Sequence, residues 1–107
     1  MSNLAKLPPL GLKPKKAKPD PKYLARVREL PCCVCDAFGF PQIGPSYAHH
    51  PICGRYSQGK VPDRMAIPLC FDHHQGPRGV HADKSAWMQE FGDDRDYIAP
   101  TQDKLGV

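Results

Sequence analysis

Two pairs of metal-binding residue types share one spacing in this chain. Two residues separate Cys32 from Cys35, and Cys70 and His73 repeat that spacing farther along the chain. A tight turn with this spacing can present both ligands to one ion, which is typical of structural zinc knuckles. We therefore expect these four residues to bind one structural Zn²⁺. The alternative is a set of buried thiols beside surface histidines.

The two remaining cysteines do not fit that spacing. Cys33 lies next to Cys32 and should point away from the ion, and Cys53 is expected to be a bystander that could replace Cys32. The chain contains five cysteines and begins without the hydrophobic segment of a secretory signal. Because no secretory segment and no membrane-spanning run is present, we expect a cytoplasmic protein. In that reducing compartment, an odd number of cysteines favours metal ligands over disulfides.

Three histidines lie outside the knuckle and could form a second, reactive site. His49 and His50 are adjacent, and His74 follows His73. Neighbouring side chains on a regular strand point to opposite faces, but Pro51 suggests that the strand ends there. One histidine from the strand and one from the helix after Cys70 could bind a divalent metal, leaving the third as a base. A His-His dipeptide alone also fits ordinary surface residues.

Local signals place the elements before the second cysteine pair. Asp20 and Pro21 predict the start of a short helix that continues to about Glu29. Its apolar face consists of Tyr23, Leu24, Val27 and Leu30. Residues 36–46 contain several glycines and prolines and predict a loop, and residues 46–50 predict a brief strand.

The second half of the chain predicts a hairpin and two helices. Residues 53–64 are polar and rich in turn formers, which indicates a hairpin connection to a second strand over residues 65–69. Pro68 makes that strand an edge. A short helix should begin after Cys70 and break at Gly76-Pro77. Asp83 should cap a helix over residues 84–91 that ends at Gly92, with Trp87 and Phe91 packed in the core.

The positive charge of the chain is concentrated near its beginning. The net charge is +4 over 107 residues, and residues 1–30 contain eight lysines and arginines against two acidic residues. Residues 1–19 combine proline and lysine without apolar periodicity, so we expect a disordered or extended basic arm before one small domain over residues 20–107. Such an arm suits a polyanionic partner, although it could also be a solubilising tail. Its candidate DNA-binding lysines are Lys13, Lys15, Lys16 and Lys18.

The motifs occur in a recognisable order. They are Leu30-Pro31-Cys32-x2-Cys35, Ala48-His49-His50, Pro68-Leu69-Cys70-x2-His73-His74 and Gly79-Val80-His81. This order resembles the HNH endonucleases, the His-Me finger or ββα-metal class. Within that class it is similar to the phage and prophage RecA-dependent nucleases of the recombination-enhancement family. The resemblance covers roughly residues 23–92 and implies a zinc-stapled ββα-metal domain with flanking helices.

The resemblance also implies roles for individual residues. His49 and His74 become ligands of a catalytic divalent metal, and His50 becomes the general base. HNH enzymes usually have an asparagine in the second strand that orients the base, but Met65 occupies that position here. Asp63 or a backbone carbonyl could orient the base instead. His81 could be a third metal ligand, a phosphate contact or a surface residue.

These features predict a metal-dependent DNA endonuclease, linked to recombination or repair. The catalytic ion would be Mg²⁺, although imidazole ligands also tolerate manganese, nickel or zinc. The expected partners are DNA and a RecA-type recombinase filament, and no apolar run predicts a membrane span. The alternative is a non-catalytic zinc-binding module that holds DNA or protein. Four cations near the site could contact phosphates or be ordinary solvated charges: Arg55, Lys60, Arg64 and Arg78.

Overall fold

The computed structural model describes residues 18–54 and 61–107, which form an α+β fold of short helices around a two-stranded sheet. The elements are α1 (Pro21–Arg28), α2 (Cys33–Phe38), β1 (Ser46–His49), a first 3₁₀ turn (Asp63–Met65), β2 (Ile67–Cys70), α3 (Phe71–His74), α4 (Lys84–Phe91), a second 3₁₀ turn (Asp94–Tyr97) and α5 (Ile98–Leu105). Within these ranges, no helix combines the length and the apolar character needed to cross a bilayer.

The two strands pair antiparallel and separate two apolar clusters. Ser46 lies opposite Cys70, and His49 lies opposite Ile67. Because side chains alternate between the faces of a sheet, Ala48 packs toward one cluster and Ile67 lies in the other. The hairpin therefore places the end of β1 beside the beginning of β2, and it delivers Cys70 directly to α3.

The larger cluster surrounds the cysteines and the smaller one joins the two ends of the described chain. Ile67, Leu69 and Trp87 are buried in the larger cluster, and Trp87 packs edge-on against Phe91 with ring centroids 5.4 Å apart. This confirms the prediction that the two aromatic residues belong to the core. The smaller cluster consists of Tyr23, Val27 and Leu105, with partly buried Leu30 and Ala48.

The caps predicted for two helices are present. The Asp20 side chain accepts a hydrogen bond from the Tyr23 amide at 3.1 Å, and Pro21 opens α1. The Asp83 side chain accepts one from the Ala86 amide at 3.0 Å at the start of α4. Each cap pairs a backbone N–H that the first helical turn leaves without a partner. Both helix predictions are confirmed to within a residue or two of their ends.

The prediction of a loop over residues 36–46 is wrong at its beginning, because α2 covers residues 33–38. Gly39 ends this helix with φ of 74°, a left-handed conformation that glycine adopts without steric cost. The six-residue helix is too short to show periodicity, and no side chain caps its start. Local sequence signals therefore did not reveal it.

The second strand begins two residues later than predicted. Met65 closes the first 3₁₀ turn, in which its amide donates to the Pro62 carbonyl at 3.0 Å, and its side chain is 43% exposed. The strand itself covers Ile67–Cys70, and β1 ends at His49. Met65 therefore does not lie in a strand, contrary to what the resemblance to HNH enzymes implies.

The last fifteen residues form structure that the sequence pattern did not predict. Thr101 donates to the Tyr97 carbonyl at 2.8 Å, and the Tyr97 hydroxyl donates to the Phe91 carbonyl at 2.6 Å. Pro100 is tolerated because it lies in the first turn of α5, where its missing N–H would have no intrahelical acceptor. Leu105 then packs against Val27 of α1, so the end of the described chain closes the smaller cluster.

Candidate metal centres

Cys32, Cys35, Cys70 and His73 converge in the larger core cluster. All four side chains are buried, and their ligand atoms lie within 4.8 Å of one another. The Cys35 and Cys70 sulfurs are 3.9 Å apart, and the Nδ1 atom of His73 lies 3.2–3.8 Å from the three sulfurs. Ligands arranged tetrahedrally around zinc at about 2.3 Å for sulfur and 2.0–2.1 Å for nitrogen would lie roughly 3.6–3.8 Å apart. The cluster therefore has the dimensions to hold one metal ion.

Neighbouring elements hold these ligands in place. Cys32 precedes α2 and Cys35 lies within it, and the Cys32 amide donates to the Gln42 side chain at 2.7 Å. Cys70 ends β2, and His73 lies on α3. The indole N–H of Trp87 donates to the His73 carbonyl at 3.1 Å. The two halves of the cluster thus come from separate segments that only the fold brings together.

The protonation of the thiols shows why a cation suits this cluster. Burial, together with repulsion from the neighbouring Cys32 and Cys70 sulfurs, raises the pKa of Cys35 to about 12. Burial also raises the pKa of Cys70 and lowers the pKa of His73. A bound metal ion reverses this preference because its charge stabilises the thiolates. These four residues could therefore hold a metal ion.

The other two cysteines lie outside the cluster. Cys33 is buried in the larger core, and burial raises the pKa of its thiol. Cys53 is half-buried, and burial raises its pKa to about 11. Cys53 lies instead with Asp93 and Asp94, which agrees with the prediction that it is a bystander to the knuckle.

Three histidines converge at a second position. The ligand atoms of His49, His74 and His81 lie within 4.8 Å of one another, and the Nε2 atoms of His74 and His81 are 3.2 Å apart. The His49 ring centroid is 5.0 Å from that of His74 and 5.1 Å from that of His81. His49 comes from β1, His74 from α3 and His81 from the loop that follows. We call these three residues the histidine triad.

A close backbone approach brings His81 to the triad. The Val80 and His81 amides donate to the carbonyls of His73 and His74, each at 3.1 Å. A Cβ atom at Gly79 would lie 2.5 Å from the His74 carbonyl group, so any residue with a side chain would push the loop away. Glycine at this position is therefore required for His81 to reach His74.

The His74 imidazole is held in its neutral form. Burial and the nearby His49 and His81 rings together lower its pKa to about 4. A neutral imidazole has a lone pair available for a metal ion. Three imidazoles in contact would repel one another if protonated, so the donor set fits a divalent cation at neutral pH.

A buried carboxylate that the sequence analysis missed contacts the triad. Asp94, fully buried, accepts a hydrogen bond from the Nε2 atom of His49 at 2.9 Å. Burial raises the pKa of Asp94, but hydrogen bonds from His49 and from the Ile52 and Cys53 amides outweigh it and leave the pKa below its usual value. Asp94 lies in an acidic run that resembles a solvated surface segment, so no local signal distinguished it.

His50 has a different carboxylate partner. The Nε2 atom of His50 lies 2.8 Å from Oδ1 of Asp63, and both side chains are mostly buried. The other Asp63 oxygen accepts a hydrogen bond from the Asp20 amide at 2.8 Å. Asp63 therefore lies where a residue that orients His50 would be needed. His49 ends β1 and His50 follows it, and the two side chains contact different residues.

The predicted cationic residues are divided between described and undescribed parts of the chain. The Arg64 guanidinium donates to Asp20 at 3.0 Å, and that of Arg78 donates to Asp72 at 3.2 Å; both arginine side chains are largely exposed. Surface ion pairs of this kind contribute about 0–1 kcal/mol, so either arginine could exchange its partner for a phosphate. Lys18 is exposed. The candidates outside the described residues are Lys13, Lys15, Lys16, Arg55 and Lys60.

Comparison with known proteins gives one match. A family model described as "Protein of unknown function (DUF968)" matches residues 10–105. No curated protein and no solved structure matches the chain.

Proposed function

The chain belongs to the DUF968 family, and we propose that it is a metal-dependent DNA endonuclease that hydrolyses phosphodiester bonds. One observation carries this proposal: His50, paired with Asp63 at 2.8 Å, immediately follows His49 of the histidine triad. A base held by a carboxylate beside a cluster that could bind a metal ion is a combination that can hydrolyse a phosphodiester. A module that only binds DNA needs neither the base nor its partner.

The arrangement of elements supports an HNH-type, ββα-metal reading. The hairpin of β1 and β2 leads directly into α3, and these three elements carry His49 and His74. HNH enzymes orient the base through an asparagine, whereas Met65 is exposed in a 3₁₀ turn here. Asp63, from the same turn, contacts His50 and could orient it in place of the asparagine.

The donor atoms support two different ions. Three thiolates and one imidazole, all buried, favour a structural Zn²⁺ at Cys32, Cys35, Cys70 and His73. The histidine triad would hold the second divalent ion. Three neutral imidazoles suit manganese, nickel or zinc at least as well as magnesium, which prefers oxygen ligands. When bound there, the ion would neutralise charge that develops on the phosphate oxygens.

Side chains of the protein would take the proton from the attacking water. Asp63 accepts a hydrogen bond from the Nε2–H group of His50. The lone pair on Nδ1 is then free to take a proton from the attacking water. The carboxylate then stabilises the imidazolium that forms and holds the ring in one orientation. Arg64 and Arg78 are exposed cations that could contact the DNA backbone.

A nicking assay on single-stranded, duplex and branched DNA, with Mg²⁺ or Mn²⁺ and with or without RecA protein, tests the proposal. His50→Ala should reduce the cleavage rate by about 10²- to 10⁴-fold, the usual contribution of a general base. Its fold, structural metal and DNA affinity should remain. Cleavage at the wild-type rate by this variant would contradict the base assignment.

Met65 supports the rival reading, a zinc-binding module without catalytic activity. In that case the wild-type protein would bind DNA or a protein partner and cleave none of the substrates under any metal condition. His49→Ala and His74→Ala separate the two readings further. If the protein is a nuclease, both variants should lose cleavage and bind metal more weakly at the triad. If it is a binding module, neither substitution should affect its DNA affinity.

A further inference from the structure

The Asp94 carboxylate is surrounded by hydrogen-bond donors. Its Oδ2 atom accepts from Nε2 of His49 at 2.9 Å and from the Ile52 amide at 2.8 Å. Its Oδ1 atom accepts from the Cys53 amide at 3.1 Å. The residue is fully buried. Two backbone amides therefore hold the carboxylate in place independently of its contact with His49.

This environment determines which nitrogen of His49 carries the proton. A carboxylate can only accept hydrogen bonds, so the His49 nitrogen that faces it must be protonated. In a neutral imidazole the other nitrogen then has the free lone pair. For His49 that nitrogen is Nδ1. The contact consequently fixes the tautomer and limits rotation of the ring.

Asp94 contacts His49 but is not itself part of the triad. The ligand atoms that converge with His74 and His81 come from His49, while Asp94 converges with Cys53 and Asp93. Asp94 lies in the second 3₁₀ turn, 45 residues after His49. That turn is outside the part of the chain that resembles nucleases.

We propose that Asp94 is a positioning residue, whose buried carboxylate holds His49 with Nε2 protonated and Nδ1 available to a divalent ion shared with His74 and His81. The metal-binding part of this inference rests on the proposed function. Carboxylates behind metal-binding histidines raise the basicity of the ligand and fix its orientation, and losing one typically weakens metal binding about 10- to 100-fold.

Asp94→Asn is the informative variant because it keeps the shape and replaces one acceptor by a donor. The new NH₂ group has two possible orientations. If it faces His49 and the Ile52 amide, His49 must lose its proton on Nε2. If it faces the Cys53 amide, the NH₂ group and that N–H are two donors without an acceptor between them. Asp93→Asn is the matched control. It removes the same charge from the neighbouring residue, whose carboxylate pairs with Arg95 and not with His49.

Two measurements on the full chain with its Cys₃His site loaded test the proposal. Calorimetric titration with Ni²⁺ should show binding that His74→Ala abolishes, about 10- to 100-fold weaker in Asp94→Asn and unchanged in Asp93→Asn. Long-range ¹H–¹⁵N spectra of the nickel-free protein should show one His49 tautomer, with Nε2 protonated, in the wild type and in Asp93→Asn. Asp94→Asn should shift that tautomer or broaden the signals.

The outcomes separate this inference from the proposed function. If the wild type binds Ni²⁺ and Asp94→Asn binds it equally well, the positioning role is overturned while the metal site stands. If the wild type binds no Ni²⁺ at the triad, both are overturned. Should Asp94→Asn fail to fold, the wild-type spectrum still decides, because a His49 ring protonated at Nδ1 contradicts the proposal.

Discussion

At the scale of single residues, two histidines next to each other in sequence have two different carboxylate partners. His49 contacts Asp94 and His50 contacts Asp63, at 2.9 and 2.8 Å. His49 is the last residue of β1 and His50 follows the strand, so the two adjacent side chains reach different neighbours. The two histidines therefore lie in separate environments, as the roles proposed for them require.

The pair of Asp63 and His50 leads to a prediction about rate. Asp63 accepts one hydrogen bond from His50 and one from the Asp20 amide, each on a different carboxylate oxygen. Asp63→Asn keeps only one of these oxygens, so one of the two donors loses its acceptor. The cleavage rate constant should fall, by no more than the roughly 10²- to 10⁴-fold that a general base contributes, and DNA affinity should not change. Single-turnover cleavage and equilibrium DNA binding measure the two quantities separately.

Asp103→Asn is the control for that experiment, because it removes the same charge from an exposed position on α5. It should cleave at the wild-type rate. A normal cleavage rate in Asp63→Asn would show that another group orients His50.

At the scale of secondary-structure elements, the Cys₃His cluster joins three short segments within the larger apolar cluster. It ties α2, which is six residues long, to the end of β2 and to α3, which is four residues long. Helices this short are marginal without tertiary support. The metal ligands lie at the beginning of α2, at the end of β2 and within α3, so a bound ion would hold all three.

Cys70→Ser should therefore remove the structural metal and unfold the domain. Structural zinc sites contribute about 10–16 kcal/mol in small peptides, comparable to the whole stability of about 5–15 kcal/mol of a typical domain. Metal content by mass spectrometry and thermal unfolding by circular dichroism provide the measurements. The zinc chelator EDTA should have the same effect on the wild type.

Cys53→Ser is the matched control, since Cys53 is a half-buried cysteine outside the cluster. It should keep its metal and unfold close to the wild-type temperature. A Cys70→Ser protein that is free of metal and folded with an unchanged unfolding temperature would rule out the structural role.

At the scale of the whole molecule, positive charge is concentrated near the beginning of the chain. Residues 1–30 contain eight of the fifteen lysines and arginines, whereas the rest of the chain has more acidic than basic residues. The predicted domain begins at Asp20. The Asp20 amide donates a hydrogen bond to the side chain of Asp63, the partner of His50. The lysines that could bind phosphates thus lie close in sequence to a residue whose amide contacts the partner of the proposed base.

Deleting residues 1–17 removes Lys6, Lys13, Lys15 and Lys16 and leaves Lys18, so the Asp20 contact is preserved. If all four lysines contact duplex phosphates, the slope of log affinity against log salt should flatten by up to about 3.6, at about 0.9 per contact. Binding measured over a salt series tests this. Fold and cleavage chemistry should be retained because neither metal centre includes these residues.

A second chain with the four lysines replaced by glutamine separates charge from length. It should show the same flattened slope as the deletion. Parallel salt dependences for all three proteins would mean that the arm does not act through phosphates.

The sequence alone determined the features that depend on a few neighbouring residues. The spacing of Cys32 and Cys35, and of Cys70 and His73, predicted a convergence that the fold contains. Asp20 and Asp83 predicted helix starts because an N-cap bonds to an amide only three residues away. Such signals depend on residues that are close in sequence, so they can be interpreted without knowledge of the packing.

Only the tertiary structure decided which distant residues meet. Asp94 contacts His49 across 45 residues, and Asp63 reaches His50 because the second strand begins at Ile67 and leaves a 3₁₀ turn before it. His81 joins the triad because Gly79 lets the backbone approach His74. These contacts result from packing between segments, which no spacing or periodicity in the chain encodes.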